Sequence, residues 1–384
     1  MDAAPIKNGY VTIDDEGKIL EIGKIEKECE STEFYNGILI PGMVNSHCHI
    51  ELSHLVNLFR QNTGMAGFIA QINELRCNCD RDGRIKALEA EMDNLYNQGV
   101  QAMADISNCD ESFEKKASSP MYTRSFLEVF GTEPNDAPAI VAGALQLMEK
   151  AHAMGIDAAP TPHACYTSSR ELIGSVSKEG IDRGFVSYHS EESWEENAMI
   201  KTGTGPLADD YHRRKMSTPE VCGCNSLIYY IDTLRKIYGD SIPGHILLVH
   251  NTYTDKDSID YALKYMQHPY WALCPKSNIF IHRALPPIEL MRSKHLKMTI
   301  GTDSLSSNTS LDMIDEVRCL QEHFPQIPLE ELLQYATLNG AEFLKKDDLF
   351  GSLTPGKKPG LILVDHIDWE NMKLTPQSKT TRLI

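Results

Sequence analysis

The chain has 384 residues, enough to bury a large core, and its formal net charge of −17 argues against nucleic acid or an anionic membrane surface as partner. No apolar run approaches the roughly twenty residues of a membrane span, and the start, Met1-Asp-Ala-Ala-Pro5, has neither the basic nor the apolar region of a secretory leader. Ten cysteines occur without a zinc-finger C-x-x-C pattern; the pairs Cys77/Cys79 and Cys222/Cys224 look too close for an unstrained bridge, so reduced thiols and a cytoplasmic location are expected.

In chain order, residues 9–13 and 18–23 flank the polar turn Asp14-Asp-Glu-Gly17, which is hairpin patterning. Short apolar strands are then expected at 42–49, 100–107, 122–130, 156–163, 185–189, 246–250, 271–274 and 298–303. Between several of them, 82–98, 139–154, 171–183 and 227–238 carry apolar residues at helical spacing. Eight strands alternating with helices predict an α/β protein, a (β/α)8 TIM barrel. The turn-rich stretch Gly351-Ser-Leu-Thr-Pro-Gly-Lys-Lys-Pro-Gly360 leads into another strand-like run, 361–365. Both chain ends are therefore expected to form a small flanking β-sandwich domain, residues 1–38 with 354–384, around a barrel of residues 39–353. The segment 191–225 is long for a βα loop and is expected to be a lid or a solvated insertion.

Chemistry gathers at the ends of those strands. His47 and His49 follow an apolar run, and residues i and i+2 of a strand share a face, so both imidazoles can reach one metal ion. His189, His250 and Asp303 each close a further apolar run. A lone histidine is more often a core or loop residue than a ligand. Four histidines and an aspartate, each at the end of such a strand, where parallel barrels place their chemistry, point to a metal centre. His47, His49, His189 and Asp303 as ligands suit one zinc ion, with iron or manganese compatible with the same ligand types. Such an ion lowers the pKa of a bound water to about 7. Glu192, three residues past His189, can lie over the open side of the metal as a proton carrier. His250 is either a ligand of a second metal or a hydrogen-bonding group for the attacking oxygen. The fourth strand ends Ala159-Pro-Thr-Pro-His163, without the lysine that a carboxylate-bridged pair of metals often uses, which favours one metal and a polarising His250. Arg124 and His163 are candidate substrate contacts.

The segments Pro41-Gly-Met-Val-Asn-Ser-His-Cys-His-Ile-Glu-Leu-Ser53, Pro162-His-Ala-Cys-Tyr-Thr-Ser168, His189-Ser-Glu-Glu192, Cys274-Pro-Lys-Ser-Asn278, Gly301-Thr-Asp-Ser-Leu-Ser-Ser-Asn308 and Ala336-Thr-Leu-Asn-Gly-Ala341 closely resemble the amidohydrolase superfamily. Within it they resemble the deaminase and chlorohydrolase branch. The resemblance runs over nearly the whole chain. It implies one metal held by His47, His49, His189 and Asp303, proton shuttling by Glu192, and orientation of the water by His250. The implied reaction is hydrolytic removal of a group, usually ammonia, from a heterocycle carbon, with Asp303 also able to accept a proton.

Glu51, in His-Ile-Glu-Leu-Ser, resembles aminofutalosine deaminase-like members and implies a purine-nucleoside-like small-molecule substrate. Three departures stand out. The loop 60–68 lacks the acid that adenosine-acting relatives use for ribose, Pro359-Gly360 replaces a usual Ala-Asp, and the chain begins where relatives have an earlier strand, which would leave the small β domain incomplete. The alternatives are a hydrolase of the same site expelling a halide, an alkylamine or a cyclic amide nitrogen, or a non-catalytic metal-binding protein. Homo-oligomers are common among such barrels.

Overall fold

The computed structural model describes residues 4–25 and 33–384. Expectations for residues 1–3 and 26–32, including the very start of the chain, lie outside the described residues. The strands are β1 Gly9–Ile13, β2 Ile19–Lys24, β3 Ile38–Pro41, β4 Met43–Cys48, β5 Val100–Ser107, β6 Tyr122–Val129, β7 Asp157–Pro162, β8 Phe185–Ser190, β9 Ile242–His250, β10 Met266–Leu273, β11 Met298–Ile300, β12 Leu361–Val364, β13 Ile367–Asp368, β14 Lys373–Leu374 and β15 Thr380–Arg382. Strands β4-β5-β6-β7 form one parallel sheet and β8-β9-β10-β11 another. The two sheets touch at both edges. Cys48 bridges Asp303 in parallel register, and His189 N–H donates to the His163 carbonyl at 2.9 Å.

Residue type explains this arrangement. Every residue of β4 and β8 is buried, as expected for parallel strands covered on both faces. Helices pack outside with one apolar stripe each: Arg170–Asp182 buries Leu172, Ile173, Val176 and Ile181, and its N-cap Ser169 accepts from Leu172 N–H. Glycine decides the seam beside the site. A Cβ on Gly301 would lie 2.7 Å from the His47 backbone and Cβ, so only glycine lets the chain leave β11 against β4.

The two chain ends meet. β3 pairs antiparallel with β12, and β12 with β15, while the hairpin β1-β2 is tied to the C-terminal segment by Ile19 N–H to Lys357 O and Gly356 N–H to Ile19 O. These are one three-stranded and two two-stranded sheets. The segment 191–225 carries two packed helices, Trp194–Thr202 and Pro206–Arg214, with Met199, Ile200, Leu207 and Tyr211 buried. Cys222 and Cys224 correct a sequence expectation. Expected as reduced thiols, they are paired as a disulfide across Gly223. No helix among the described residues is long and apolar enough to cross a membrane.

Candidate metal-dependent active site

The finishing ends of the parallel strands bring His47, His49, His189, His250, Asp303 and Glu192 into one buried cluster. His49 Nε2 lies 3.4 Å from His189 Nε2. Asp303 Oδ1 lies 3.9 Å from His47 Nε2 and 3.7 Å from His49 Nε2. A zinc ion held tetrahedrally at about 2.1 Å needs donors about 3.4 Å apart, close to these spacings. The ring of His47 adds an independent sign: it is fully buried, and neither of its nitrogens has a hydrogen-bond partner. Leaving both orphaned is costly, and a cation at Nε2 would relieve one of the two.

The electrostatics agree. Burial, then the neighbouring imidazole His49, pushes His47 well below its ordinary pKa. Burial does the same to His189, reinforced by His163 and His47. His49 and His250 are also lowered, first by burial. Neutral rings are the metal-binding form. Asp303 moves the other way: burial pushes it up, but His49, His250, His47 and the Ser277 hydroxyl outweigh burial and hold it at about 2. Its Oδ2 accepts from Ser277 Oγ at 2.6 Å and Ser307 Oγ at 2.7 Å, so Oδ1 is the oxygen aimed at His47 and His49. Residues 191, 250 and 303 all have left-handed φ, +46°, +70° and +56°, a concentration of backbone strain of the kind found at functional sites.

Glu192 and His250 face each other, Oε1 to Nε2 at 3.6 Å. With Nδ1 protonated, His250 donates to Asn278 Oδ1 at 2.9 Å and the neutral ring presents a bare Nε2 to Glu192. Burial first, then Asp303, Glu196 and Glu128, pushes the Glu192 carboxyl well above its usual range. The pair can therefore hold one proton between them beside the ligand cluster.

A model of the amidohydrolase family matches residues 38–382. The chain belongs to the amidohydrolase family. Relatives of this amidohydrolase include an adenosine deaminase of Helicobacter pylori, 25% identical over 370 residues, covering 92% of this chain and 86% of the relative. Among solved structures, Helicobacter pylori aminofutalosine deaminase in complex with methylthio-coformycin has a TM-score of 0.81 at 23% identity, covering 99% of this chain and 96% of that one. An Arthrobacter aurescens atrazine chlorohydrolase complexed with zinc has a TM-score of 0.70 at 16% identity, covering 92% and 81%. At these identities the solved structures speak for the fold alone.

The remaining sequence candidates part company in this amidohydrolase. His163 reaches the site: its ring stacks on His189 with centroids 4.3 Å apart, and Nδ1 lies 2.8 Å from Thr167 Oγ1. Burial, then His49 and His250, lowers its pKa to about 3. Glu51 is also there. Its Oε2 accepts from Asn108 N–H at 2.8 Å, while its buried Oε1 has no partner.

Arg124 is a correction: the structure does not bring it to the site. It lies near the start of β6, donates to Asp157 Oδ2 at 2.7 Å and stacks 3.6 Å from the centroid of Phe185, the first residue of β8. The histidine cluster sits at the opposite end of these strands, about 13 Å away at roughly 3.3 Å per residue. Glu128, four residues later, occupies the place the sequence reading sought. Its Oε1 lies 3.4 Å from His189 Nδ1 and makes no hydrogen bond, and burial raises its carboxyl to about 8. The strand-end rule that selected His189 and His250, applied to 122–130, points to Glu128 rather than Arg124. Asn108, which bridges Glu51 and Glu128 through its N–H and Nδ2, left no such signal. Ser277 donates to Asp303 Oδ2, and Asn278 Oδ1 pairs with His250 Nδ1.

Proposed function

We propose that this amidohydrolase is a metal-dependent deaminase of an amino-substituted, purine-nucleoside-like heterocycle, with aminofutalosine the leading candidate. The observation that supports this reading is a set of overlapping buried clusters, His47 with His49 and Asp303, His47 with His189 and His250, and His49 with His189 and Glu128, each close enough to hold a metal ion, with Glu192 beside His250. His47, His49, His189 and Asp303 would hold one divalent ion, and the three-imidazole, one-carboxylate set favours zinc over iron or manganese. When bound, the ion supplies Lewis-acid activation of a water molecule.

The protein's own groups do the rest. His250, oriented by Asn278, aligns the water through Nε2. Glu192 takes a proton from that water and delivers it to the ring nitrogen beside the attacked carbon, as the water oxygen bonds to that carbon. The second water proton passes through Asp303 Oδ1 to the exocyclic nitrogen, the carbon–nitrogen bond breaks, and ammonia leaves. His163 and Glu51 contact the substrate. The eight parallel strands act as a closed (β/α)8 barrel, residues 39–353, with residues 1–38 and 354–384 as a composite β domain beside it.

The test is ammonia release by the zinc-loaded protein across aminated purines, pyrimidines, their nucleosides and aminodeoxyfutalosine. Release from a nucleoside-like compound, lost in Glu192→Gln with metal content unchanged, is the expected result. Near-parental turnover in Glu192→Gln would end the proton-carrier assignment. Silence across the panel would favour a different leaving group, a reading that the fold likeness to a chlorohydrolase keeps in play.

A further inference from the structure

We propose that Glu196 is a positioning residue that sets Glu192 against the metal site; this deepens, and rests on, the reading of Glu192 as proton carrier. The helix Trp194–Thr202 opens with the sequence Ser193-Trp-Glu-Glu196, the pattern of a capping box. In that motif the serine accepts the N–H of the third helical residue, and the glutamate reaches back to the serine's own N–H. The first half forms: Ser193 Oγ accepts from Glu196 N–H at 3.0 Å. The second half is diverted. Glu196 Oε2 accepts from Glu192 N–H at 2.9 Å, and Oε1 from Glu191 N–H at 3.2 Å.

The carboxylate thus holds the turn that presents Glu192 instead of capping its own helix. That turn needs holding. Glu191 has a φ of +46°, a left-handed conformation that a non-glycine residue keeps only when its surroundings enforce it. Glu196 is fully buried, and the Cys165 thiol at 3.5 Å and the Ser226 hydroxyl also face it. Among the described residues no lysine, arginine or histidine forms an ion pair with it. A buried carboxylate without a cation is an expensive choice, and the site explains it: two convergent N–H groups require two acceptor oxygens. Glutamine keeps the volume but offers one oxygen and one NH2, so one backbone N–H would face a donor.

The experiment compares parent, Glu196→Gln and Glu192→Gln as full-length, zinc-loaded proteins, using the nucleoside that the parent deaminates fastest. Glu196→Gln is expected to keep one metal per chain and a KM close to parental, while kcat falls about 10–100-fold, the scale of a misplaced catalytic group. Hydrogen exchange provides a readout independent of substrate: the amides of residues 191 and 192 should exchange faster in Glu196→Gln. An inactive Glu192→Gln beside a Glu196→Gln variant with parental kcat, or with parental exchange at those amides, overturns the positioning role alone. An active Glu192→Gln instead strikes the underlying reading of Glu192. If Glu196→Gln does not accumulate, Glu196→Asp keeps the charge and loses reach. Lower kcat at unchanged KM and metal content then supports the role, and lost stability with parental kcat per loaded site overturns it.

Discussion

Arg124 and Glu128 lie four residues apart on β6, and the two ends of that strand treat charged side chains differently. At the starting end, Arg124 pairs with Asp157 and covers Phe185, and Tyr122 also donates to Asp157. At the finishing end, Glu128 and Glu51 each keep a buried oxygen with no partner, beside rings whose nitrogens face one another. Interiors normally satisfy buried polar groups. At the starting end the charges are paired, although Arg124 Nε and Thr123 Oγ1 also lack hydrogen-bond partners. The finishing end leaves carboxylate acceptors open beside the histidine cluster.

The sharpest way to break this comparison is at Glu128. Glu128→Gln should weaken zinc affinity about tenfold, because it removes a carboxylate 3.4 Å from the His189 ring, whose Nδ1 hydrogen bond runs to the His163 carbonyl. Competition with a chromophoric chelator measures this directly, and unchanged affinity would remove Glu128 from the metal's support. Arg124→Met should do the reverse. It should cost about 1–3 kcal/mol in denaturant unfolding and leave kcat per folded, metal-loaded chain intact; a tenfold drop in kcat would return Arg124 to the substrate site.

A finer test uses Glu316, a buried carboxyl with both oxygens bonded, to Lys276 N–H at 3.0 Å and Asn308 Nδ2 at 2.7 Å. Burial raises it to about 8, against about 4.3 in an unfolded chain. Between those values the folded state binds more protons than the unfolded one, so stability is full below about pH 4 and declines as pH rises toward 8. Glu316→Gln should flatten that decline by at most about 1.4 kcal/mol per pH unit. An unchanged slope of unfolding free energy between pH 5 and 8 would show that Glu316 does not titrate there.

Legibility divides along the same line. The strands were readable because parallel strands buried on both faces are short apolar runs: β5 spans Val100–Ser107, as the pattern predicts. β9 and β10 start earlier than expected, at Ile242 and Met266, because register against neighbouring strands recruits residues that look polar or turn-like in isolation. His47, His49, His189, His250 and Asp303 could be picked out because residue type and strand-end position coincide. Arg124 misled because a charged residue inside an apolar run looks functional until the strand's direction says which end it occupies.

Residue order alone determined the alternation of strands and helices, the positions of the imidazoles and carboxylates along the chain, and the family motifs that contain them. Such features are local, written within a few residues by hydrophobic period and side-chain chemistry. Tertiary structure alone decided that Asp303 Oδ2 would be taken by Ser277 and Ser307, that Asn278 would orient His250, that Asn108 would join Glu51 to Glu128, and that Glu196 would turn from its own helix toward residues 191 and 192. Each of these is a hydrogen bond a few ångströms long, and its existence depends on strand register, on tight approaches such as Gly301 against His47, and on which buried donors are left without another partner. No window of sequence contains that information.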